Sequence, residues 1–255
     1  MSDVLKEMII NAERTVASGY YDLGEREPRG PALTAALLGH PVFPVIAEVK
    51  MASPSHGRLA AHSPEDLISK YVAGGAAALS VLTEPVRFLG SLDALRKASR
   101  TGLPVLMKDF IVSERQLRAA AAIGAGTVLL IQEVFDTVPR ARRDELIARA
   151  HELGLEVLLE AESEASLLEA MNSEADALGI NQRNLRTLEM DRTKGARLLP
   201  LAVNASRPVV VMSGLKCRRE IEEIRDLGAS GVLIGGALAS SNEPTALLRQ
   251  LEVSR

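Results

Sequence analysis

Glu48 and Lys50 stand two residues apart at the end of the apolar run Val45-Ile46-Ala47. Side chains along a strand repeat every two residues, so a strand here aims both groups from one face. A carboxylate and an ammonium projecting together from a buried strand cost free energy unless they are paired or used. The Ser53-Pro54-Ser55 that follows turns the chain into a loop rich in hydroxyls and backbone amides, a cradle for an anion beside an acid–base pair. Lys108 and Glu160 close two further apolar runs and share strand parity with neighbouring core residues. A lysine crowded by another cation or stripped of water has a lowered pKa and can act as a general acid near neutral pH. A glutamate beside it holds the charge or takes a proton in return, so two such pairs support several proton transfers. A lysine Schiff base stays open at this point. No histidine lies at a strand end, so no Ser-His-Asp set forms, and Cys217 falls inside or at the start of a helix.

These groups need a scaffold that gathers distant strand ends. Eight apolar runs recur, at 45–50, 77–83, 104–109, 127–133, 156–161, 177–182, 209–214 and 231–236. Helical stretches separate them, several with start signals. Ser63-Pro64-Glu65-Asp66 offers an N-cap with a first-turn proline, and Ser113-Glu114-Arg115-Gln116 fits a capping box. Breaks such as Gly124-Ala125-Gly126 and Gly228-Ala229-Ser230-Gly231 lead from helix into strand. Helix–strand alternation of this length is the span of a (β/α)8 TIM barrel. A doubly wound open sheet is the runner-up, but no Gly-x-Gly-x-x-Gly follows an early strand. Val4, Leu5, Met8, Ile9, Ala12 and Val16 fall at helical spacing, predicting an amphipathic helix over 3–18, with a shorter one over 30–40. The expectation is one domain over 1–255, with a helical extension at 1–43 and the barrel at 44–255.

In such a barrel, chemistry sits at the C-terminal strand ends and the loops after them. Glu48, Lys50, Lys108 and Glu160 are expected to face the axis. Glu84, Asp109, Glu133 and Glu162 are expected to serve their local loops. Asn181 lies at the end of the sixth run with Arg183 just beyond it, Ser213-Gly214 ends the seventh and Gly235-Gly236 the eighth. Loops after the last two strands commonly hold phosphate on backbone amides. The residues alone thus describe a barrel enzyme acting on a phosphorylated small molecule by acid–base chemistry.

Composition narrows the partners. The 255 residues carry 47% hydrophobic and 25% charged side chains and a formal net charge of −3, with both signs interspersed. No basic footprint for nucleic acid exists, and no apolar stretch spans a bilayer. The single cysteine and four scattered histidines give no disulfide framework and no metal-ligand spacing. The charged N-terminus lacks a signal-peptide core, so the expected location is cytoplasmic. Scattered charge without an apolar patch favours a monomer.

The chain resembles the indole-3-glycerol phosphate synthase family over about residues 44–250. The matching segments include Ile46-Ala47-Glu48-Val49-Lys50 with Ser53-Pro54-Ser55, Pro104 through Ile111 with its Lys108-Asp109-Phe110-Ile111, Glu156 through Glu160, and Gly179-Ile180-Asn181-Gln182-Arg183-Asn184-Leu185. The resemblance implies ring closure of 1-(2-carboxyphenylamino)-1-deoxyribulose 5-phosphate with loss of carbon dioxide and water, needing no cofactor or metal. It implies Lys108 as general acid, Lys50 and Glu48 in the later dehydration, and Glu160 and Asn181 orienting these groups. Ser53, Gly214, Gly235 and Gly236 would bind phosphate, Ser213 would contact the substrate, Phe110 would pack near the aromatic ring, and Arg183 would bind an anion. Four positions depart from the family pattern. Met212 replaces the glutamate of the usual Glu-Ser-Gly, Met51-Ala52 replaces a basic pair, and His56 replaces a lysine. Two other readings compete: a phosphosugar isomerase on the same scaffold, for which Cys217 is misplaced, and a non-catalytic binder of a phosphorylated ligand, supported by Met212.

Overall fold

The computed structural model describes residues 3–24, 27–55, 57–59, 61–136 and 140–255. Eight parallel strands close on themselves: β1 Val45–Val49, β2 Ala78–Leu82, β3 Val105–Lys108, β4 Thr127–Ile131, β5 Glu156–Ala161, β6 Ala177–Asn181, β7 Val209–Met212 and β8 Gly231–Ile234. β1 pairs with both β2 and β8, which excludes the open sheet. The strands are nearly continuous apolar runs because helices cover their outer faces while side chains fill the inside.

The helices are α1 Val4–Ala17, α2 Leu33–Gly39, α3 Pro64–Ala73, α4 Leu92–Ser99, α5 Glu114–Ile123 and α6 Arg140–Glu152. They continue as α7 Glu164–Met171, α8 Lys194–Ala202, α9 Arg218–Asp226, α10 Gly236–Ala239 and α11 Pro244–Gln250. The expected caps are formed. Ser63 accepts from the Asp66 amide at the start of α3, and Ser113 and Gln116 make a reciprocal capping box on α5. None of the described helices is long and apolar enough to cross a membrane.

Strand ends are where sequence and structure part. The run 127–133 leaves the ladder at Ile131 and continues as the 3-10 turn Gln132–Phe135. The run 209–214 stops at Met212, because Ser213 and Gly214 take φ of 70° and 80°. A left-handed pair turns the chain out of the sheet. After β1, Ala52–Ser53 and Gly57–Arg58 form a short antiparallel ladder that periodicity does not predict. His56 lies outside the described residues.

The N-terminal extension runs from one mouth of the barrel to the other. At the C-terminal mouth, the Val4 amide donates to Arg186 O at 3.2 Å, and Asp3 pairs with Arg186 at 2.7 Å. Burial of Leu5 and Met8 contributes about 2 kcal/mol each. The exposed Glu7–Arg87 pair contributes about 1 kcal/mol or less, so apolar contact holds α1 in place. The segment after α1 then passes α5, where Gly126 lets the Pro31 carbonyl occupy the space of a side chain. At the opposite mouth, the Thr34 amide and hydroxyl both donate to Glu156, the first residue of β5, and Leu37 packs on Gly231.

Candidate active site

A cavity of about 660 Å³ opens at the C-terminal ends of the strands. Glu48, Lys50, Lys108, Glu160, Asn181 and Arg183 all line it, from β1, β3, β5 and β6 and the residues just beyond. Lys108 Nζ lies 3.5 Å from Glu160 Oε2 and 4.0 Å from Glu48 Oε2. Lys50 Nζ lies 3.4 Å from Glu48 Oε1, so Glu48 spans the two ammonium groups. On the far side, Asn181 Nδ2 donates to Glu160 Oε1 at 2.6 Å, while Asn181 Oδ1 accepts from the Arg183 amide at 2.9 Å. A continuous chain from Lys50 through Glu48, Lys108 and Glu160 to Asn181 therefore crosses the mouth.

Burial sets the electrostatics. Glu48 and Glu160 are 3% and 0% exposed, so each needs its cationic partner to offset lost hydration. Burial pushes the Lys50 ammonium below the usual lysine range; Glu48 offsets this in part, while Lys108 adds to it. Burial also opposes the charge on Lys108, but Glu160 and Glu48 together overcome it and hold Lys108 above the usual range. The lowering expected from crowding thus falls on Lys50 and not on Lys108. The difference is geometric: Lys108 has two carboxylates in reach and Lys50 has one. The Lys50 ammonium also lies 5.3 Å from the Phe88 ring centroid, a cation–π contact.

Two glycine-containing turns and Ser53 face the same cavity. Ser53, Ser213, Gly214, Gly235 and Gly236 all line it, with Phe110 on an adjoining wall. Gly235 precedes α10, whose first amides have no partner within the helix. A side chain at Gly235 would collide with Glu48 Oε1, so glycine there makes room for the carboxylate. The Phe110 and Phe88 rings sit 6.1 Å apart. Arg183 is half-buried; its Nη1 donates to Leu188 O at 2.8 Å, and burial lowers its pKa.

The other acids at this end serve their own loops. Glu84 accepts from the amides of Val86, Arg87 and Phe88, fixing the turn that presents Phe88. Glu133 accepts from the Glu162 amide at 2.8 Å, and Glu162 accepts from the Leu185 amide at 2.5 Å. Burial pushes Glu133 up to about 7 and also raises Glu162. Asp109 accepts from Tyr21, Thr83 and the Phe110 amide. Cys217 is exposed at the start of α9.

Met212 points into the cavity, a direction that strand parity does not give. It is fully buried, and its methyl lies where a side chain on Gly179 would approach within 2.7 Å. Gly179 pairs with Glu160 in the ladder, so Met212 forms an apolar wall beside Glu160. Sequence reasoning misses Val4 and Met8 of α1, and Arg192 and Lys216 of the later loops, all of which line the cavity. The helical stripe marks Val4 and Met8 as buried without saying against what. Arg192 and Lys216 carry no signal.

A closed (β/α)8 barrel with lysines and carboxylates paired across a basic cavity defines a barrel enzyme of the acid–base type. A family model described as indole-3-glycerol phosphate synthase matches residues 22–251. The chain belongs to the indole-3-glycerol phosphate synthase family. It is 40% identical to a relative of that name from Mycolicibacterium gilvum (strain PYR-GCK), over 89% of this chain and 82% of the other. It is 38% identical to one from Parafrankia sp. (strain EAN1pec), over 98% and 92%. Among solved structures, thiamine phosphate pyrophosphorylase from Pyrococcus furiosus superposes with a TM-score of 0.60 at 16% identity, over 82% of this chain and 93% of that one. N-acetylmannosamine-6-phosphate 2-epimerase from Clostridium perfringens gives 0.59 at 14%, over 84% and 93%. At these identities the likeness is one of fold.

Proposed function

We propose that the protein closes 1-(2-carboxyphenylamino)-1-deoxyribulose 5-phosphate to indole-3-glycerol phosphate, releasing carbon dioxide and water, as a carboxy-lyase of tryptophan biosynthesis. The observation that carries this is Lys108 held charged between Glu48 and Glu160 at the cavity mouth. The ring carbon bearing the carboxylate attacks the ketone, and the carbonyl oxygen gains charge as the bond forms. Lys108 donates a proton to it, and its two carboxylates keep it protonated until that moment. Carbon dioxide then leaves, and the electron pair of the broken bond returns to the ring. In the dehydration, Lys50 protonates the departing hydroxyl and Glu48 takes the ring proton, so water leaves and the indole forms. Asn181 holds Glu160 so that its other oxygen stays towards Lys108.

Charge supports an anionic ligand. Among the described residues, five basic ones line the cavity, Lys50, Lys108, Arg183, Arg192 and Lys216, against the acids Glu48, Asp109 and Glu160. In this reading Lys50 and Arg183 meet the substrate carboxylate, while Ser53, Ser213, Gly214, Gly235 and Gly236 take the phosphate. Phe110 packs near the aromatic ring. The reading extends to a single-domain monomer working in the cytoplasm; docking of the extension at both mouths and the interspersed charge support it.

The test is to add the substrate to pure protein and follow indole fluorescence, with Lys108→Ala beside it. Absence of signal at high protein concentration sinks the function. Equal rates for the two proteins sink the role of Lys108.

A further inference from the structure

Lys108 and Asp109 are consecutive, so an extended backbone sends their side chains to opposite faces. Lys108 goes to Glu48 and Glu160; Asp109 goes to the N-terminal extension. Asp109 is 2% exposed and has no salt bridge among the described residues. Its Oδ2 accepts from Tyr21 OH at 2.7 Å and from Thr83 Oγ1 at 2.5 Å, and its Oδ1 accepts from the Phe110 amide at 2.8 Å. The Thr83 amide meanwhile donates to the Lys108 carbonyl at 3.1 Å. The two peptide groups that flank Asp109, beginning with the one that carries the Lys108 carbonyl, are thereby tied, one to the residue after β2 and one, through the Asp109 carboxylate, to residue 21 of the extension. Nothing in the proton transfers above uses Asp109.

We propose that Asp109, gripped by Tyr21 and Thr83, is a positioning residue that fixes the end of β3 so that Lys108 stays between Glu48 and Glu160. The inference rests on the ring-closing activity proposed above for its kinetic readout. A shift of about 1 Å in a catalytic group can cost on the order of a hundredfold in rate, so a grip at the adjacent residue has leverage. The groups facing Asp109 are Tyr20 and Tyr21 of the extension, Thr83 and Glu84 after β2 and Gln116 of α5, which reaches Tyr21; the Lys108 ammonium, on the opposite face, feels its charge through the strand end. Burial pushes the Asp109 carboxyl up to about 6. As pH falls through that value, Asp109 takes a proton and loses the charge that strengthens its bonds to the Tyr21 and Thr83 hydroxyls.

The experiment compares wild type, Asp109→Asn and Tyr21→Phe by steady-state kinetics from pH 5 to 8, with circular dichroism confirming the fold. The expected result is a fall in kcat of about tenfold for Asp109→Asn at pH 7.5, with KM within about threefold. The wild-type acid limb near pH 6 should be absent in that variant, which is already neutral. Tyr21→Phe, which removes one donor but leaves a carboxyl that can titrate, should lose about threefold in kcat and move the acid limb up. A wild-type kcat or an unchanged acid limb in Asp109→Asn overturns the proposal. A readout independent of turnover is the titration of Lys108 by NMR on lysine labelled with 15N at Nζ, assigned by its loss in Lys108→Ala. In Tyr21→Phe that titration should move down as Lys108 drifts from its carboxylates; an unmoved titration overturns the proposal. If wild type closes no ring, the functional reading fails while the titration still decides the positioning.

Discussion

Two sets of acids occupy the same end of the barrel and solve burial differently. Glu48 and Glu160 face inward and meet ammonium groups. Asp109 and Glu133 are held by neutral donors, hydroxyls and backbone amides, and burial pushes them up to about 6 and about 7. Neutral donors can shape a turn but do not cancel the cost of a buried charge. Ion pairs facing a cavity leave charge where a ligand can use it. In the proposed reaction the inner set carries the chemistry, and the outer set fixes the loops around it.

The largest test of this contrast is Lys108→Ala, which removes the cation from between two carboxylates. Its kcat should fall about a thousandfold, within the range for loss of a general acid; a loss under tenfold would place the chemistry elsewhere. Lys50 comes next. Its pKa is lowered, so as pH rises it loses its charge before an ordinary lysine would. The plot of kcat/KM against pH should fall on its alkaline side below pH 10.5, the ordinary lysine value. Lys50→Arg, which stays charged, should remove that limb at a lower rate. An identical limb in both proteins would assign it to another group.

On the outer set, Glu133→Gln tests stability. The folded pKa of about 7 lies above the ordinary glutamate value of 4.5. Its contribution to stability is therefore full below pH 4.5 and lost as pH rises through 7. Urea midpoints should show the wild type losing stability across that window relative to Glu133→Gln, by on the order of 3 kcal/mol. Parallel curves would mean that the neutral donors satisfy the charge after all. The smallest effect is expected at Met212, an apolar wall in a position where the family usually carries an acid. Met212→Leu should keep turnover within about threefold and cost less than about 1.5 kcal/mol in a thermal melt. A larger rate loss would give the thioether a role beyond filling space.

Much of the site is legible in the order of residues. Parity alone places Glu48, Lys108 and Glu160 on one inner surface, and capping signals at Ser63 and Ser113 mark helix starts that form as expected. Parity leaves Met212 open, because β7 is apolar and buried on both faces, so nothing in Val209-Val210-Val211-Met212 marks which face is the inner one. It also fails to rank the lysines, since the pKa of each depends on how many carboxylates come within reach.

The sequence by itself determined the eight strands, the helices between them and the end of the barrel where charge gathers, because periodicity and caps are local and repeat every two or 3.6 residues. Only the tertiary structure decided that Lys108 meets a glutamate 52 positions away and that Tyr21 reaches across 88 positions to Asp109. Only closure of the barrel sets those distances, and an ion pair or a buried hydrogen bond is decided by fractions of an ångström in them.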